Sequence, residues 1–574
     1  MKLRTAARLV IVWVVATVAT CLLVHRAFAL RPDESHPSAV VASVWSAGTL
    51  VGRAVLAHEA DTDAGIDAAL AAHPGATLVH ESIVAEGAIL ARPPLAFMFS
   101  LVPGRDGIAA RLDGRIAYVT PDDLLARQAY DRGLSLGAIQ LSFGLDVPTT
   151  LAVLAERLGV SARDVLDRAS LSRIRVVRHV PTRPAVTPDS LTADTARRGA
   201  LAAARYLARN TDSDGRFRYL IEAPTNRRVP GYDWPRHAGA TYFLADAAAA
   251  SGGDPDIAYA ALRAAGYIRD HALLRCGPLR CIGDGGFADV GSSALAILAF
   301  VEIARTGLDP AYALLVRDLA DFLRSQQRPD GELMHVYDRT AGHPIDVQSL
   351  YFSGEATLAL SRAHALLHDA RDLEAATRAL NHLVHGAWSF FGSRYYWSEE
   401  HWTCQAADDL WDRAPSQDAL DYCLGWAAYN RKLMYGPDDA PLDVDGAYGV
   451  GPFVTPRLTP AGSRSEATVA TLDMARRAGR PQEQVEPLDG SMRRSLALLL
   501  RHQFALSPGV YPSYLMAEPE AVDGAVPGSE VDWVLRIDYA QHAGNALLRW
   551  AEAASAATNV QAEQPGESLR TKSW

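Results

Sequence analysis

The sequence predicts a mainly α-helical protein: an (α/α)6 toroid of helical hairpins, preceded by a smaller α/β domain and an N-terminal signal segment or membrane anchor. Three observations lead to this prediction. The 574 residues exceed what one hydrophobic core serves, helical patterns recur about every 50 to 75 residues after residue 195, and an apolar run follows a basic start. The predicted divisions are a signal peptide or anchor at 1–32, an α/β domain at 33–182, a linker at 183–194, the toroid at 195–556 and a disordered tail at 557–574.

The N-terminal segment predicts export. Lys2, Arg4 and Arg8 precede the apolar run 9–24, and a positive flank kept on the cytoplasmic side sends the following chain outward. Residues 27–29 (Ala-Phe-Ala) have the small-x-small form that signal peptidase accepts, so cleavage and a retained anchor both stay open. We therefore expect a cell-envelope protein, either held at the inner membrane through this segment and facing outward, or released to the periplasm or beyond.

Four cysteines follow the export segment, an even number that favours disulfides in an oxidising compartment. Cys276 and Cys281 enclose only four residues, and we expect a bridge between them. Cys404 and Cys423 lie on or near adjacent helical segments, where a second disulfide and a zinc site are both open.

The region 33–182 has strand and turn signals. A strand is predicted at 97–103, and 107–120 forms a hairpin in which Asp113-Gly114 supplies the positive φ angles of the turn. Thr120 then caps a helix whose first residues, Pro121 to Asp123, suit a helix N terminus. Asp122 and Asp123 thus have a structural explanation.

Nucleic acid is not expected as a partner. The formal net charge is -10, whereas a phosphate-binding face needs clustered basic residues. Residues 154–169 imitate a DNA-reading helix-turn-helix, but export and the balancing acids favour a plain helical hairpin. The proline-containing stretch 181–192 is typical of a linker.

Two sets of helical segments alternate from residue 195 onward. A set that starts with small residues, expected to form the inner helices, begins near Arg236, Gly291, Ser353, Asp421, Ser463 and Gln541. A more amphipathic, outer set begins near Thr195, Asp256, Ala311, Asp372 and Ser491, and a segment from Glu399 completes either set. Six such hairpins closing on themselves make the toroid.

Several short stretches resemble one known family. FRYL, YDWPRHAGATY, GDGGFADVGSSAL, SLYFSGEATLAL and RIDYAQHAGNAL are similar to the C-terminal domain of D-glucuronyl C5-epimerases and related bacterial toroid proteins, over residues 195–556. The resemblance implies a toroid that handles glycans. It does not fix the reaction, because this architecture also serves glycosidases and polysaccharide lyases.

A repeated pair of residues points to a pocket. Asp233 and His237 are four residues apart at one end of the toroid sequence, as are Asp538 and His542 at the other, so each pair shares a helix face. If the ring closes, the two pairs converge; a capping Asp with a core-facing His is the alternative for each. Nearby polar and aromatic candidates are Arg236, Tyr232, Arg536 and Tyr539.

Chemistry on a sugar needs an acid and a base on opposite sides of the ring, together with flat apolar faces. We predict catalytic roles for His237, Asp233, Arg236, Glu355, Asp538 and His542, and substrate binding by Tyr232, Trp234, Glu399, Glu400, His401, Trp402, Arg536 and Tyr539. Further acids and indoles at segment starts are Asp284, Asp289, Asp408, Trp397 and Trp411.

The predicted function is an exported, carbohydrate-active toroid protein that acts on a cell-surface or secreted polysaccharide, with epimerase, lyase and hydrolase reactions all open. A non-catalytic glycan-binding or assembly protein is the alternative, and a metal-dependent toroid enzyme is the third hypothesis. No cofactor and no metal ligand set is predicted from the sequence.

Overall fold

The structure is a computed structural model of the 574-residue chain. It describes residues 30–88, 101–130, 134–136, 139–141, 144–386, 394–395, 399–440, 442–449 and 455–563. The chain divides into two compact units, Met1–Arg183 with Ser507–Glu518, and Pro184–Leu506 with Pro519–Trp574. Over the described residues, every helix is too short or too polar to span a membrane. The predicted export segment up to residue 29 and the predicted tail from residue 564 lie outside these residues, whereas 557–563, predicted as disordered, continue the last helix.

The first unit is built on a six-stranded antiparallel sheet with strand order β2-β1-β3-β8-β4-β5. Its two faces bury separate apolar clusters, one around Ile83 and Ile174 and one around Val44 and Ile66. The strands are β1 (Ala39–Ser46), β2 (Thr49–Leu56), β3 (Thr77–Ala88), β4 (Asp106–Leu112), β5 (Arg115–Val119) and β8 (Ser170–His179), while β6 (Leu134–Leu136) and β7 (Ile139–Leu141) pair separately. The helices are α1 (Ala64–Ala72), α2 (Pro121–Ala126), α3 (Val147–Leu158) and α4 (Ala162–Arg168).

The predicted hairpin and the predicted helical pair are both present in this unit. Asp113 and Gly114 have φ angles of 51° and 77° between β4 and β5. Asp123 accepts a hydrogen bond from the Thr120 N–H at 2.9 Å at the start of α2. Gly159, with φ 65°, ends α3 before α4 begins. The strand predicted at 97–103 falls mainly outside the described residues, and its last three residues are not in a strand.

Residues 507–518 belong to the first unit, although we predicted one uninterrupted toroid domain from 195 to 556. The Tyr514 hydroxyl donates to Asp122 at 2.7 Å, and the Tyr511 N–H donates to the Pro181 carbonyl at 2.9 Å. This stretch has two prolines and no helical or strand period, so the sequence carries no signal of the domain to which it belongs.

The second unit is a closed ring of six inner helices. Consecutive inner helices contact one another, and the last inner helix contacts the first. In ring order they are α6 (Trp234–Ala250), α8 (Val290–Arg305), α10 (Phe352–Leu367), α12 (Trp402–Leu410), α14 (Thr459–Arg477) and α17 (Ile537–Glu563). Each follows an outer helix: α5 (Ala193–Arg209), α7 (Pro255–His271), α9 (Tyr312–Ser325), α11 (Ala370–His385), α13 (Gln417–Arg431) and α15 (Gln482–His502). This arrangement confirms the (α/α)6 prediction.

The fourth inner helix differs from the prediction. We expected it near Asp421, but that segment is the outer helix α13, and the inner position is taken by α12 from Trp402. With nine residues, α12 has too few turns for a clear helical period. The small residues of α13 suggested an inner helix, but one of them, Gly425, makes room for the Tyr395 side chain and not for a neighbouring inner helix.

Short strands and one further short helix complete the second unit. Two of the strands, β13 and β16, lead directly into the inner helices α8 and α17. One sheet contains β9 (Leu220–Glu222), β10 (Arg227–Arg228) and β16 (Val534–Arg536), and a second contains β11 (Leu273–Cys276), β12 (Leu279–Asp284), β13 (Phe287–Asp289), β14 (Val336–Asp338) and β15 (His343–Ile345); the short helix is α16 (Pro519–Val522).

Both predicted cysteine pairs are disulfides. Cys276–Cys281 joins β11 to β12, which confirms the expected bridge. Cys404–Cys423 joins α12 to α13, so a disulfide rather than a zinc site takes this pair.

Glycine lets the inner helices approach closely near their starts. A Cβ on Gly291 would lie 2.2 Å from the Phe352 ring, and one on Gly354 would lie 2.4 Å from the Glu400 carboxylate. A Cβ on Gly462 would lie 2.9 Å from the backbone beside His542. The small residues thus bring the beginnings of neighbouring inner helices together.

Candidate functional site

The inner helices begin at the same end of the ring, and carboxylates cap several of them. Asp233 accepts from the Arg236 N–H at 2.9 Å, Asp289 from the Ser292 N–H at 2.6 Å, and Glu400 from the Trp402 N–H at 2.8 Å. The first N–H groups of a helix have no partner within the helix and carry partial positive charge. This end of the ring therefore collects negatively charged side chains.

Ring closure joins the first inner helix to the last through an ionic network. The Arg236 Nε lies 3.2 Å from Asp538 Oδ2, and Arg536 binds both oxygens of Asp538 at 2.6 and 2.8 Å. Burial opposes ionisation of Asp538, but the guanidinium groups outweigh it and hold the pKa of this carboxyl below its usual value. Arg236 also pairs with Asp233, so the Asp members of the two predicted Asp/His pairs meet at one guanidinium group.

His237 lies in a closed aromatic cluster. Its Nε2 is 2.9 Å from the Ala264 carbonyl, so Nε2 carries the proton and Nδ1 accepts from the Tyr232 hydroxyl at 2.6 Å. Trp234 and Tyr267 pack around the ring, and burial lowers its pKa to about 4. Both ring nitrogens are therefore occupied within the protein, which is the arrangement of a capping Asp with a core-facing His.

His542 has different neighbours. Its Nδ1 lies 2.8 Å from Glu466 Oε2, and the same oxygen lies 3.7 Å from His401 Nε2. The rings of His401 and His542 have centroids 5.2 Å apart. We predicted that His542 and His237 converge in one pocket, but the structure places His542 against His401 and Glu466. Glu466 was missed, although an acid within the small-residue start of an inner helix is the signal that could have found it.

The hydrogen bonds place the two histidines in complementary states. His401 Nδ1 lies 3.2 Å from the Glu399 carbonyl and so carries the proton, which leaves the Nε2 lone pair free. Burial, together with the nearby His542, holds the pKa of His401 well below its usual value. Burial also disfavours the charged form of His542, but Glu466 outweighs it and raises the pKa of His542. One imidazole is a proton acceptor and its neighbour a proton donor.

The buried polar atoms at this end without a hydrogen-bond partner among the described residues include Glu355 Oε2, His401 Nε2 and Glu466 Oε1. Burial, with Asp289 and Glu400 nearby, raises the pKa of Glu355 well above its usual value. Folded proteins rarely leave buried polar atoms unpaired, and clusters of them mark ligand or water sites. These atoms come from the start of α10, the start of α12 and the second turn of α14.

Aromatic and charged groups surround the histidines. The centroids of the Trp402 and Tyr351 rings lie 5.0 and 5.7 Å from that of His401. Glu399 receives a hydrogen bond from Arg464 at 3.0 Å, and the Tyr539 hydroxyl receives one from Arg457 at 2.9 Å.

Other predicted positions lie elsewhere. Asp408 and Trp411 are at the C-terminal end of α12, roughly 10 to 13 Å along the helix from its start. Asp284 is exposed on β12, and Trp397 lies outside the described residues.

No protein-family profile matches the sequence, and no curated relative matches it. Solved structures with a similar fold include a D-mannose isomerase, with 13% identity, a TM-score of 0.46, and coverage of 63% of this chain and 97% of that one. A sugar epimerase from a ruminal bacterium shows 12% identity, a TM-score of 0.46, and coverage of 62% and 98%. An α-1,6-mannanase of Salegentibacter sp. HEL1_6 shows 13% identity, a TM-score of 0.42, and coverage of 63% and 99%. The assignment of the ring rests on the helix contacts described above.

Proposed function

We propose that the helical domain transforms one sugar unit of a glycan by acid–base proton transfer, in the manner of an epimerase. The observation that carries the proposal is the pair His401 and His542, whose ring centroids are 5.2 Å apart. His401 offers a free Nε2 lone pair, and His542 shares a proton with Glu466 at 2.8 Å. Neighbouring groups that are held in opposite protonation states are typical of an acid and a base acting on one substrate.

The proposed step is proton exchange at C2 of a reducing-end sugar in its open-chain form, where the aldehyde supplies the neighbouring carbonyl that a neutral unit within the chain lacks. His401 Nε2 takes the proton from carbon, and the bonding pair moves toward the carbonyl oxygen to give an enol or enolate. His542 then returns a proton to the same carbon from the other side, which inverts its configuration, and the two histidines exchange roles for the reverse reaction. A lyase would begin with the same abstraction and then expel a leaving group.

Hydrolysis fits the site less well. It requires two carboxyl groups on either side of the scissile bond, one of them ionised as nucleophile or base. Here Glu355, which its raised pKa keeps protonated, is limited to the role of the acid, while Glu400 is engaged by two backbone N–H groups at the start of α12 and Glu466 by His542. The base with a free lone pair is the imidazole of His401.

The charges at the site favour a neutral sugar over a uronate. Arg236 and Arg536 are both engaged by Asp538, and Arg464 is engaged by Glu399. Glu355, Glu400 and Glu466 add three further carboxyl groups at this end. A carboxylate on the substrate would meet more acid than base here, in contrast to the uronate that the epimerase resemblance implies.

Tyr351, partly exposed beside His401, supplies an apolar face for a sugar ring, whereas Trp402 is 2% exposed and packs against His401 and His542. Together with the predicted export segment, Tyr351 supports the proposal that the substrate is a cell-surface or secreted polysaccharide. We propose the same location, the cell envelope or beyond, for the folded protein.

The experiment is deuterium exchange in heavy water with a panel of neutral and uronate-containing oligosaccharides, followed by NMR. Wild-type protein should place deuterium at one sugar carbon, and His401→Ala or His542→Ala should slow this by about 100-fold or more. His385→Ala, at an exposed position on α11, is the matched control and should exchange like wild type.

Each remaining hypothesis has its own outcome in that experiment. An unsaturated product would indicate a lyase, and glycan binding without exchange would support the non-catalytic alternative and overturn the proposal. The ligand atoms of His401, Glu466 and His542 lie within 4.8 Å of one another, so the exchange is repeated after chelation. Loss of exchange that added divalent metal restores would support the metal-dependent hypothesis instead.

A further inference from the structure

The helix that carries His401 differs from the other inner helices. α12 has nine residues, whereas each of the other five has sixteen or more. His401 is its N-cap residue but makes no capping hydrogen bond, because Glu400 accepts from the N–H groups of Trp402 and Thr403 instead. The position of the His401 ring therefore depends on where the first turn of α12 is held.

A covalent link holds that first turn. Cys404 is three residues after His401, and its disulfide partner Cys423 lies in the middle of the outer helix α13. The two Cα atoms are 5.7 Å apart, and both cysteines are buried. The only other disulfide among the described residues, Cys276–Cys281, joins two adjacent strands and lies on neither α12 nor α14.

We infer that the Cys404–Cys423 disulfide positions His401 against Glu466 and His542, so that proton transfer at this site requires the oxidised protein. The inference rests on the proposed function, and it adds a residue pair that does not touch the substrate. Seven of the nine residues of α12 are buried, but the helix has only about half the length of its neighbours along which to pack, and the bond fixes its first turn to a fifteen-residue helix. His401 approaches Glu466 at 3.7 Å, and that approach is lost if the turn moves.

The size of the effect follows from the demands of proton transfer. A displacement of about 1 Å at a reacting group lowers a rate by on the order of 100-fold. We therefore expect Cys404→Ala/Cys423→Ala to lower deuterium exchange into the sugar by that factor. Cys276→Ala/Cys281→Ala, the matched control, should leave it unchanged.

The test includes a signal that does not depend on the substrate. In the Cys404→Ala/Cys423→Ala protein, NMR of the imidazole signals should show that the pKa of His401 has returned toward its ordinary value, while the far-ultraviolet circular dichroism stays that of the wild type. The control variant should keep the pKa of His401 depressed. An unchanged His401 titration in the Cys404→Ala/Cys423→Ala protein would overturn the inference.

Reduction provides a second route if the double variant does not fold. In the Cys276→Ala/Cys281→Ala background only the Cys404–Cys423 bond can be reduced, and reduction followed by reoxidation should shift the His401 signal and then restore it. A His401 signal that is insensitive to reduction, with thiol labelling showing that the bond has opened, would overturn the inference. A shift in His401 without sugar exchange in any form of the protein would leave the positioning intact and count against the proposed function.

Discussion

Replacement of Glu466 by Gln tests the central pair of the site. The amide keeps the shape of the side chain and still accepts a hydrogen bond from His542 Nδ1, but it removes the negative charge 2.8 Å from that nitrogen. Burial, which disfavours the charged imidazolium, then dominates at His542, because only the smaller and opposing effects of Asp538 and Arg236 remain beside it. We expect the pKa of His542 to fall from its raised value to below its ordinary value in Glu466→Gln.

The cost to stability depends on pH. A hydrogen bond to a charged group contributes about 1.5 to 3 kcal/mol and a neutral one about 0.5 to 1.5 kcal/mol, so the loss is about 1 to 1.5 kcal/mol while His542 is protonated. Because the folded-state pKa of His542 is raised, its contribution is fully present below the unfolded value of about 6.5 and is lost as the pH rises through the folded value. We therefore expect Glu466→Gln to be less stable than wild type at pH 6, with the difference near zero or reversed at pH 9.

Two measurements check this prediction. Hydrogen–deuterium exchange of peptides from α14 and α17 reports the opening of the helical domain alone, and NMR titration reports the pKa of His542. Equal destabilisation at pH 6 and pH 9, or an unchanged pKa of His542, would refute the assignment of His542 as the protonated member of the pair.

Three further predictions concern other parts of the chain. His237→Leu should lower the free energy of unfolding by about 1 to 3 kcal/mol at neutral pH, because the Tyr232 hydroxyl is left unpaired. The wild-type protein should itself lose about 3 kcal/mol of stability as the pH falls from about 6.5 toward the folded pKa of His237 of about 4, and the variant should not show this loss. Thermal unfolding between pH 4 and 8 measures both effects. Glu355→Gln should be more stable than wild type by about 1 kcal/mol or more at pH 8, because the wild-type carboxyl, with its raised pKa, must take up a proton on folding. The difference in stability should narrow toward pH 5, where the unfolded chain is also partly protonated. A difference that does not change with pH would contradict this. A reporter fused after Trp574 should be active only outside the cytoplasm, and cytoplasmic activity would contradict the export prediction.

The ring could be predicted from the sequence because its signals are local. Small residues near the starts of the inner helices, such as Gly291 and Gly354, stand where a neighbouring helix leaves no room for a Cβ. The Asp113-Gly114 turn and the Gly159 helix end likewise follow from residues that tolerate positive φ. Each of these features depends on one or two residues and their immediate neighbours in the sequence, so it can be predicted without knowing the distant contacts.

The site could be predicted only in part, because its pairings are not local. The repeated spacing of Asp and His pointed to the junction of the first and last inner helices, where Arg236 pairs with both Asp233 and Asp538. It could not show that His237 turns toward Ala264, since a helix position does not reveal which neighbour the ring faces. The meeting of His401, Glu466 and His542 depends on three separate inner helices, and the short α12 left no periodic signal.

The distribution of polar side chains along the inner helices indicates that the residues at this end of the ring serve a reaction or ligand binding more than they serve stability. Over the middle half of α8, from Ala294 to Val301, the chain buries only apolar side chains. Each unpaired buried polar atom costs about 1 to 3 kcal/mol, so Glu355 Oε2, His401 Nε2 and Glu466 Oε1 together are a substantial burden on the fold. Apolar residues of similar size would remove that burden without changing the helix contacts. A site that binds a sugar needs such unpaired atoms, because a polar group already satisfied within the protein, as His237 is, has nothing left to offer a ligand.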